Sequence, residues 1–314
     1  MTTGAGSFQH EALLYRTPGE FAGGVLPFIL GGLAAGEPVL VAVPARQHAI
    51  IRQGLGAGAD AVRFVDMSDA GRNPGRIIPG VLHPFIDAHA GHCRVVGEPV
   101  WPGRATAEYP ACVQHESLIN VAFEGRQATV LCPYDVARLP AYAIADAGRT
   151  HPVLLDGPGR RVSPDYLPPT AAADVFNQPP AEPPGEWTGV TFGVDGLAGV
   201  RRLVAAEGER AGLSPERNAD LQLAVNEVAT NAVTHAGGVG TLRVWRDADG
   251  LVCELSDMGH GMHRLAGRIP PGRDSEGGRG LILVNHLCDL VHIYAGNSHN
   301  TVRLHMRRDG QTGS

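Results

Sequence analysis

Short apolar runs alternate with helix-length amphipathic stretches along the first half of the chain. The runs read VLVAV at 39–43, VRFVDM at 62–67, CRVVGEPVW at 93–101 and ATVLCPYD at 128–135. Apolar runs spaced in this way are typical of β-α units that assemble a mostly parallel sheet. The pattern therefore predicts an α/β domain over residues 7–155.

The last part of the chain has a different order. A strand-like run at 190–195 precedes two helical stretches at 196–212 and 214–236, and four further strand-like runs follow. Ser214 as N-cap and Pro215 at the first helical position mark the start of the second helix. Helices grouped before a set of antiparallel strands predict an α+β two-layer sandwich over residues 186–308.

Proline interrupts both patterns between these two parts. Residues 157–185 contain eight prolines among alanine, aspartate and glycine. Such a composition is typical of an extended, semi-rigid linker. We therefore expect two domains, 7–155 and 186–308, joined by a linker at 156–185.

Composition then narrows the chemistry. All 26 basic residues are arginine, which excludes a lysine nucleophile, a Schiff-base lysine and a GxxxxGK[ST] phosphate loop. The net charge of −6 and the lack of clustered arginine argue against direct nucleic-acid binding. Five widely spaced cysteines, together with no signal-peptide pattern and no membrane-spanning apolar run, favour a cytoplasmic protein.

The second long helix carries a carboxylate and an amide four residues apart, Glu227 and Asn231. This spacing places both side chains on one helix face. An amide oxygen can bind Mg²⁺, and the carboxylate beside it can deprotonate a nucleophile. Taken alone, the pair indicates only a solvated polar face.

Further along, a carboxylate and two glycine-rich segments add to this pair. Asp257 ends a strand-like run, where its carboxylate can accept a hydrogen bond from an exocyclic amine such as that of adenine. The second glycine segment leads into an apolar helix, whose free N–H groups can bind a triphosphate without lysine. The neighbouring candidate nucleotide contacts are Gly259, Gly261, Gly278, Arg279, Gly280 and, on the last strand, Thr301.

In this order, these segments resemble the boxes of the GHKL (Bergerat-fold, HATPase) family over about residues 186–308. The compact form NEVATNAVTHA, SDMGHGM, EGGRGL resembles the anti-sigma factor serine/threonine kinases. The resemblance implies ATP and Mg²⁺ as cofactors, and an anti-sigma antagonist protein and a sigma factor as partners. It also implies the residue roles: Glu227 as catalytic base, Asn231 as Mg²⁺ ligand, Asp257 as adenine acceptor, Gly259 and Gly261 as first nucleotide loop, Gly278 and Gly280 as phosphate loop, and Arg279 as a phosphate contact.

The first half contains His10–Glu11, GEPVW at 97–101, HESLIN at 115–120 and LCPYD at 131–135. With these motifs, about residues 7–155 resemble the MEDS domain (methanogen/methylotroph, DcmR sensory), a RecA-like module. VLVAV, taken as the first core strand, is followed by PARQH rather than a glycine cradle, so we expect a degenerate scaffold without a P-loop. Ligands of open α/β sheets bind at the carboxyl ends of strands. The candidate sensory residues, for a small-molecule or protein signal, are His10, Glu98, Trp101, Glu116, Cys132 and Tyr134. Packing of Trp101 and Tyr134 under loops, with Glu98 holding a backbone N–H, is the alternative.

Together these features predict a cytoplasmic regulator in which a sensory domain controls a kinase acting on serine or threonine of an antagonist. Two alternatives stay open. The His10–Glu11 dipeptide also occurs at the phospho-acceptor of sensor histidine kinases, and the ATP domain could act as a binding switch without phosphotransfer. Whether the chain forms a homodimer is left open as well.

Overall fold

The computed structural model describes residues 8–157, 159–235, 237–259, 262–269 and 278–310. The chain divides into two compact units. The first contains Met1–Arg72 and Gly80–Phe176, and the second contains Asn73–Pro79 and Asn177–Ser314. None of the helices in the described parts of the chain is long and apolar enough to cross a membrane.

The first unit is built on a seven-stranded sheet in the order β3-β2-β4-β5-β1-β6-β7. All neighbouring strands pair in parallel except β6 and β7, which are antiparallel. The strands are β1 (Gln9–Tyr15), β2 (Val39–Val43), β3 (Val62–Asp66), β4 (Cys93–Gly97), β5 (Ala128–Asp135), β6 (Val153–Asp156) and β7 (Gly159–Val162). The helices are α1 (Pro18–Ala34), α2 (Ala45–Leu55), α3 (Met67–Ala70), α4 (His83–Ile86), α5 (Tyr109–Ala122), α6 (Ala141–Thr150) and α7 (Pro169–Val175).

Local sequence explains these elements. The β2 run is buried at every position, as expected for a parallel strand covered on both faces. Thr17 is the N-cap of helix α1, and its hydroxyl accepts a hydrogen bond from the Glu20 N–H at 3.1 Å. Phe21, Val25 and Ile29 recur every four residues along α1 and pack into the core of this unit.

The segment expected to be an extended linker is partly folded. Residues 159–175 include β7 and α7, and the alanine face of α7 packs with Phe176 against Val113 of α5. Prolines are compatible with this because Pro169 lies in the first turn of α7, where its missing N–H is not needed. Among the described residues of this segment, the turn at 163–168 separates β7 from α7, and the longest stretch without helix or strand is 177–187, so the expectation of an extended linker is wrong for residues 159–175.

The second unit is a two-layer sandwich. Its five-stranded antiparallel sheet has the order β11-β12-β10-β9-β8. The strands are β8 (Thr188–Phe192), β9 (Gly240–Arg246), β10 (Gly250–Asp257), β11 (Leu290–Ala295) and β12 (Asn300–Arg307). The helices are α8 (Leu197–Ala211), α9 (Pro215–His235) and α10 (Gly280–Leu287). One apolar cluster joins all three helices to the inward residues of the sheet, so the helices cover one face.

The second unit includes Asn73–Pro79, a segment that the sequence pattern places within the first domain. Within this unit, the fully buried Asn73 donates through Nδ2 to the carbonyl of Asn285 at 2.8 Å. The buried Arg268 donates to the carbonyl of Pro74 at 3.1 Å. Both bonds satisfy polar groups that are removed from water, which makes the segment an integral part of this packing.

Candidate functional site

Helix α9 carries the first two candidate residues of the second unit. Its start is capped by Ser214, whose hydroxyl accepts from the Arg217 N–H at 3.4 Å. A stripe of buried aliphatic residues beginning at Leu221 packs α9 against the sheet. Glu227 and Asn231 are both partly exposed, at positions four residues apart. The helix therefore holds both side chains at the border between core and solvent.

Glu227 lies against the start of α10. A Cβ atom on Gly280 would be 2.6 Å from Glu227 Oε2, so the carboxylate occupies the space that any larger residue would need. Gly278 has a φ of +89°, a left-handed conformation that favours glycine. Gly278 and Arg279 are exposed. The fold thus brings the candidate base and the candidate phosphate loop together.

Asp257 ends β10, opposite Asn300 at the start of β12. Asp257 Oδ1 accepts hydrogen bonds from the Gly259 N–H at 2.8 Å and from Asn300 Nδ2 at 3.0 Å. Asn300 is buried, and its Oδ1 has no hydrogen-bond partner within the described parts of the chain. A buried acceptor without a partner costs free energy unless an added donor satisfies it. The strand end therefore offers acceptors to a ligand N–H.

Thr301 points away from this group, contrary to its predicted place in the nucleotide pocket. Its hydroxyl lies 3.1 Å from that of Ser256, on the sheet face opposite the helices. There it lines a cavity of about 580 Å³ together with Trp187, Arg243 and Glu254. Because side chains alternate along a strand, Asn300 rather than Thr301 shares a face with Asp257. Gly261 lies outside the described residues.

In the first unit, the first strand along the chain is β1, and VLVAV forms the second strand, β2. Taking VLVAV as the first core strand is therefore wrong, because β1 comes earlier and lies between β5 and β6. Neither strand leads into an anion cradle. After β1, Glu20 Oε2 accepts from the Arg16 N–H at 2.8 Å, and after β2 the Ala45 N–H donates to Asp66 Oδ1 at 3.1 Å. Both helix starts thus already hold a carboxylate.

Glu98 follows β4 and is fully buried. Its Oε1 accepts from Gln47 Nε2 at 3.1 Å and from the Tyr15 hydroxyl at 3.4 Å, so its partners are side chains rather than a backbone N–H. Burial raises the pKa of Glu98 to about 8 and also raises that of Tyr15. Glu98 is therefore a candidate for a carboxylic acid that stays protonated near neutral pH.

Trp101 lines a separate small cavity of about 130 Å³, beyond β4 and beside Tyr109 and Tyr142. The Arg104 guanidinium lies 4.2 Å from the centroid of the Trp101 ring, a cation–π contact. Tyr134 is buried within β5. Glu98 and Trp101 thus contact different partners, and Tyr134 packs in the sheet.

The other three sensory candidates meet in one place. His10 of β1, Glu116 of α5 and Cys132 of β5 are all buried, and His151 joins them from the residue after α6. Burial raises the pKa of Cys132 well above its usual range and, together with the neighbouring His151, lowers that of His10 to about 4. For Glu116, burial favours a higher pKa, but the imidazoles of His10 and His151, at 3.2 and 3.1 Å from Glu116 Oε2, outweigh it and lower the pKa.

Nothing in the local sequence singles out His151. It precedes a proline and a short strand, and no motif connects it to the other three residues. Only the pairing of β1 with both β5 and β6 brings it beside His10. The signal that could have found it is a histidine placed directly before the strand that neighbours β1.

The chain matches two family models. Residues 9–152 match MEDS, the methanogen/methylotroph, DcmR sensory domain, and residues 192–306 match the histidine kinase-like ATPase domain. No curated protein matches. Among solved structures, the RsbU and RsbW domains of Rv1364c from Mycobacterium tuberculosis are 20% identical with a TM-score of 0.30. That similarity covers 40% of this chain and 33% of that chain, so this chain spans about a third of its length.

The two matched stretches cover most of the parallel-rich sheet of the first unit and most of the helix-covered antiparallel sheet of the second. The chain therefore carries a MEDS domain followed by a histidine kinase-like ATPase domain.

Proposed function

We propose that the ATPase domain binds ATP with Mg²⁺ and transfers the γ-phosphoryl group to serine or threonine of an anti-sigma antagonist protein. In this proposal the MEDS domain, a RecA-like scaffold without a P-loop, receives the signal. A sigma factor is the second partner, as the resemblance of residues 186–308 to anti-sigma factor kinases implies. The protein acts in the cytoplasm in this account.

The observation that carries the proposal is the contact between Glu227 and Gly280. A general base must lie beside the phosphoryl group that its substrate attacks. The Glu227 carboxylate touches the first residue of α10, where free helix N–H groups favour anions. Two residues separated by 53 positions thus form the juxtaposition that phosphotransfer requires.

The residues of this domain also fit the cofactors. The buried Asn300 Oδ1 lacks a donor, and Asp257 beside it presents a carboxylate at the strand end, which suits the exocyclic amine of adenine. At position 280 there is room for glycine but not for a side chain, because a Cβ atom there would lie 2.6 Å from Glu227 Oε2. Asn231 offers a neutral oxygen of the hard type that Mg²⁺ prefers. Mg²⁺, when bound, neutralises charge on the phosphate oxygens.

Each side chain then has one task. Asp257 and Asn300 orient the adenine ring, and the backbone at Gly278 and Gly280 holds the phosphates. Glu227 accepts the proton of the attacking hydroxyl, and Arg279, exposed beside the loop, supplies positive charge without lysine.

The burial of His10 argues against the histidine-kinase alternative, in which this residue would be the phospho-acceptor. His10 is only 1% exposed and lies inside the central strand β1. A phospho-acceptor has to reach the γ-phosphate, and this imidazole is enclosed on all sides. The binding-switch alternative differs from the proposal only in the chemical step.

Incubation of the full chain with γ-labelled ATP and the proteins that co-purify with it tests the proposal. We expect acid-stable label on a partner protein. Glu227→Gln should lower transfer by at least about 100-fold. Glu216→Gln, an exposed glutamate at the start of the same helix, should not change it.

Acid-labile label on the chain itself would support a histidine kinase instead. Unchanged phosphoryl transfer by the Glu227→Gln variant would show that Glu227 is not the base. Nucleotide binding with no transfer to any co-purifying protein would favour the binding switch.

A further inference from the structure

Four metal-binding side chains converge in the core of the MEDS domain. His10 of β1, Glu116 of α5, Cys132 of β5 and His151 after α6 each offer one ligand atom, and all four atoms lie within 4.8 Å of one another. None of the four residues is more than 1% exposed. Four separate elements therefore aim their polar atoms at one point that water does not reach.

Three of the six distances between the ligand atoms are close to the edges of a tetrahedral coordination sphere. Glu116 Oε2 lies 3.2 Å from His10 Nε2 and 3.1 Å from His151 Nε2, and His10 Nε2 lies 3.4 Å from Cys132 Sγ. Zn²⁺ binds nitrogen and oxygen at about 2.0–2.2 Å and sulfur at about 2.3 Å, which gives tetrahedral edges of about 3.3–3.6 Å. Small shifts of side chains would bring the four atoms onto such a sphere.

Hydrogen bonding among these groups leaves atoms unsatisfied. Among the described residues, neither carboxylate oxygen of Glu116 has a hydrogen-bond partner of good geometry, and the same holds for His151 Nε2. Buried polar atoms in native proteins are nearly always paired, and an isolated buried charge is costly. A cation bound between them would satisfy His151 Nε2 and one Glu116 oxygen at once.

The orientation of His151 is already that of a metal ligand. Its Nδ1 lies 2.9 Å from the carbonyl of Ala147 and 3.0 Å from the Thr150 hydroxyl. A proton held on Nδ1 by a carbonyl leaves the lone pair of Nε2 directed at the cluster. Ligating histidines characteristically make this second hydrogen bond, which fixes the tautomer and the ring orientation.

Charge and ligand type identify the class of ion. A Cys132 thiolate and a Glu116 carboxylate supply two negative charges, and the two imidazoles are neutral, so a divalent cation makes the buried site neutral. One sulfur, two nitrogens and one oxygen suit a borderline ion such as Zn²⁺ and not Mg²⁺ or Ca²⁺, which prefer oxygen. Four protein ligands leave no open position for a reacting water.

We infer that the MEDS domain binds one divalent transition-metal ion of the Zn²⁺ type through His10, Glu116, Cys132 and His151. The ion ties strands β1 and β5 to helix α5 and to the residue that follows α6. This inference does not depend on the kinase activity proposed for the other domain.

Metal analysis of the full-length chain tests it. We expect about one zinc per chain after refolding with Zn²⁺ and removal of excess metal, and a thiolate-to-metal charge-transfer band after refolding with Co²⁺. Cys132→Ser should lose the band. Cys93→Ser, which alters another fully buried cysteine of the same sheet, should keep it.

X-ray absorption of the zinc-loaded wild-type chain gives a second readout that does not require the variant to fold. One sulfur at about 2.3 Å and three nitrogen or oxygen atoms at about 2.0–2.2 Å are expected. Folded wild-type chain that retains no stoichiometric zinc or cobalt would overturn the inference. So would a bound metal without a sulfur neighbour, or a Co²⁺ band that survives Cys132→Ser.

Discussion

Replacing Glu98 by glutamine should abolish a pH dependence of stability in the first unit. Burial raises the pKa of this carboxyl to about 8, whereas a glutamate in an unfolded chain titrates near about 4.3. Between these values the folded state keeps a proton that the unfolded chain releases. Raising the pH through this window therefore favours unfolding, because the unfolded state gains the ionised form.

The size of the effect follows from linkage. Well inside the window each pH unit costs about 1.4 kcal/mol, and the loss tapers as the pH approaches 8. From pH 6 to pH 8 the free energy of unfolding should fall by about 2 kcal/mol from this group alone. Glu98→Gln keeps an acceptor for Gln47 and carries no charge, so its stability should lack this loss.

Urea unfolding at pH 6, 7 and 8 measures the difference. The chain has three tryptophans, and in a Trp187→Phe, Trp245→Phe background Trp101 alone reports on the first unit. Glu124→Gln, an exposed glutamate of the same unit, is the matched control. Parallel pH profiles for the wild type and Glu98→Gln would refute the reasoning, as would a wild-type stability that rises toward pH 8.

Three further predictions concern the second unit. Asn300→Ala removes a donor to the neighbouring carboxylate and should weaken MgATP binding about tenfold in calorimetric titration, whereas Thr301→Ala, on the opposite face, should change it less than twofold. Leu221→Ala empties a fully buried position and should cost about 3 kcal/mol in urea unfolding, against less than about 0.5 kcal/mol for the half-exposed Leu223→Ala. Gly280→Ala would place a methyl group 2.6 Å from the Glu227 carboxylate, so label transfer should fall at least about tenfold while the unfolding midpoint stays within a few degrees.

Periodicity was sufficient to predict most of the second unit. The predicted run at 190–195 overlaps strand β8, which ends at Phe192, the run TLRVWRD at 241–247 overlaps β9, and the two long amphipathic stretches are helices α8 and α9. These elements have strong local signals, because each buries one regular face. The order of the glycine segments also correctly placed α10 after the second glycine loop.

The sheet face on which a side chain lies, and the pairing of distant segments, were harder to predict. Thr301 and Asn300 are adjacent, and a shift of one residue along a strand exchanges the two sheet faces, so the choice between them needed the register. His151 could not be placed beside His10 without the strand order. The prolines of 159–175 indicate a linker by composition, although a proline in the first turn of a helix, such as Pro169, is equally consistent with a folded segment.

Calorimetric titration of the full-length chain with MgATP tests the central claim most directly. We predict one nucleotide site per chain and at least tenfold weaker binding for Asp257→Asn, because an amide replaces the carboxylate proposed to accept the adenine amine. Asp309→Asn, an exposed aspartate beyond β12, should bind as the wild type does. A wild-type chain that binds no ATP, or an Asp257→Asn variant that binds it equally well, would contradict the account.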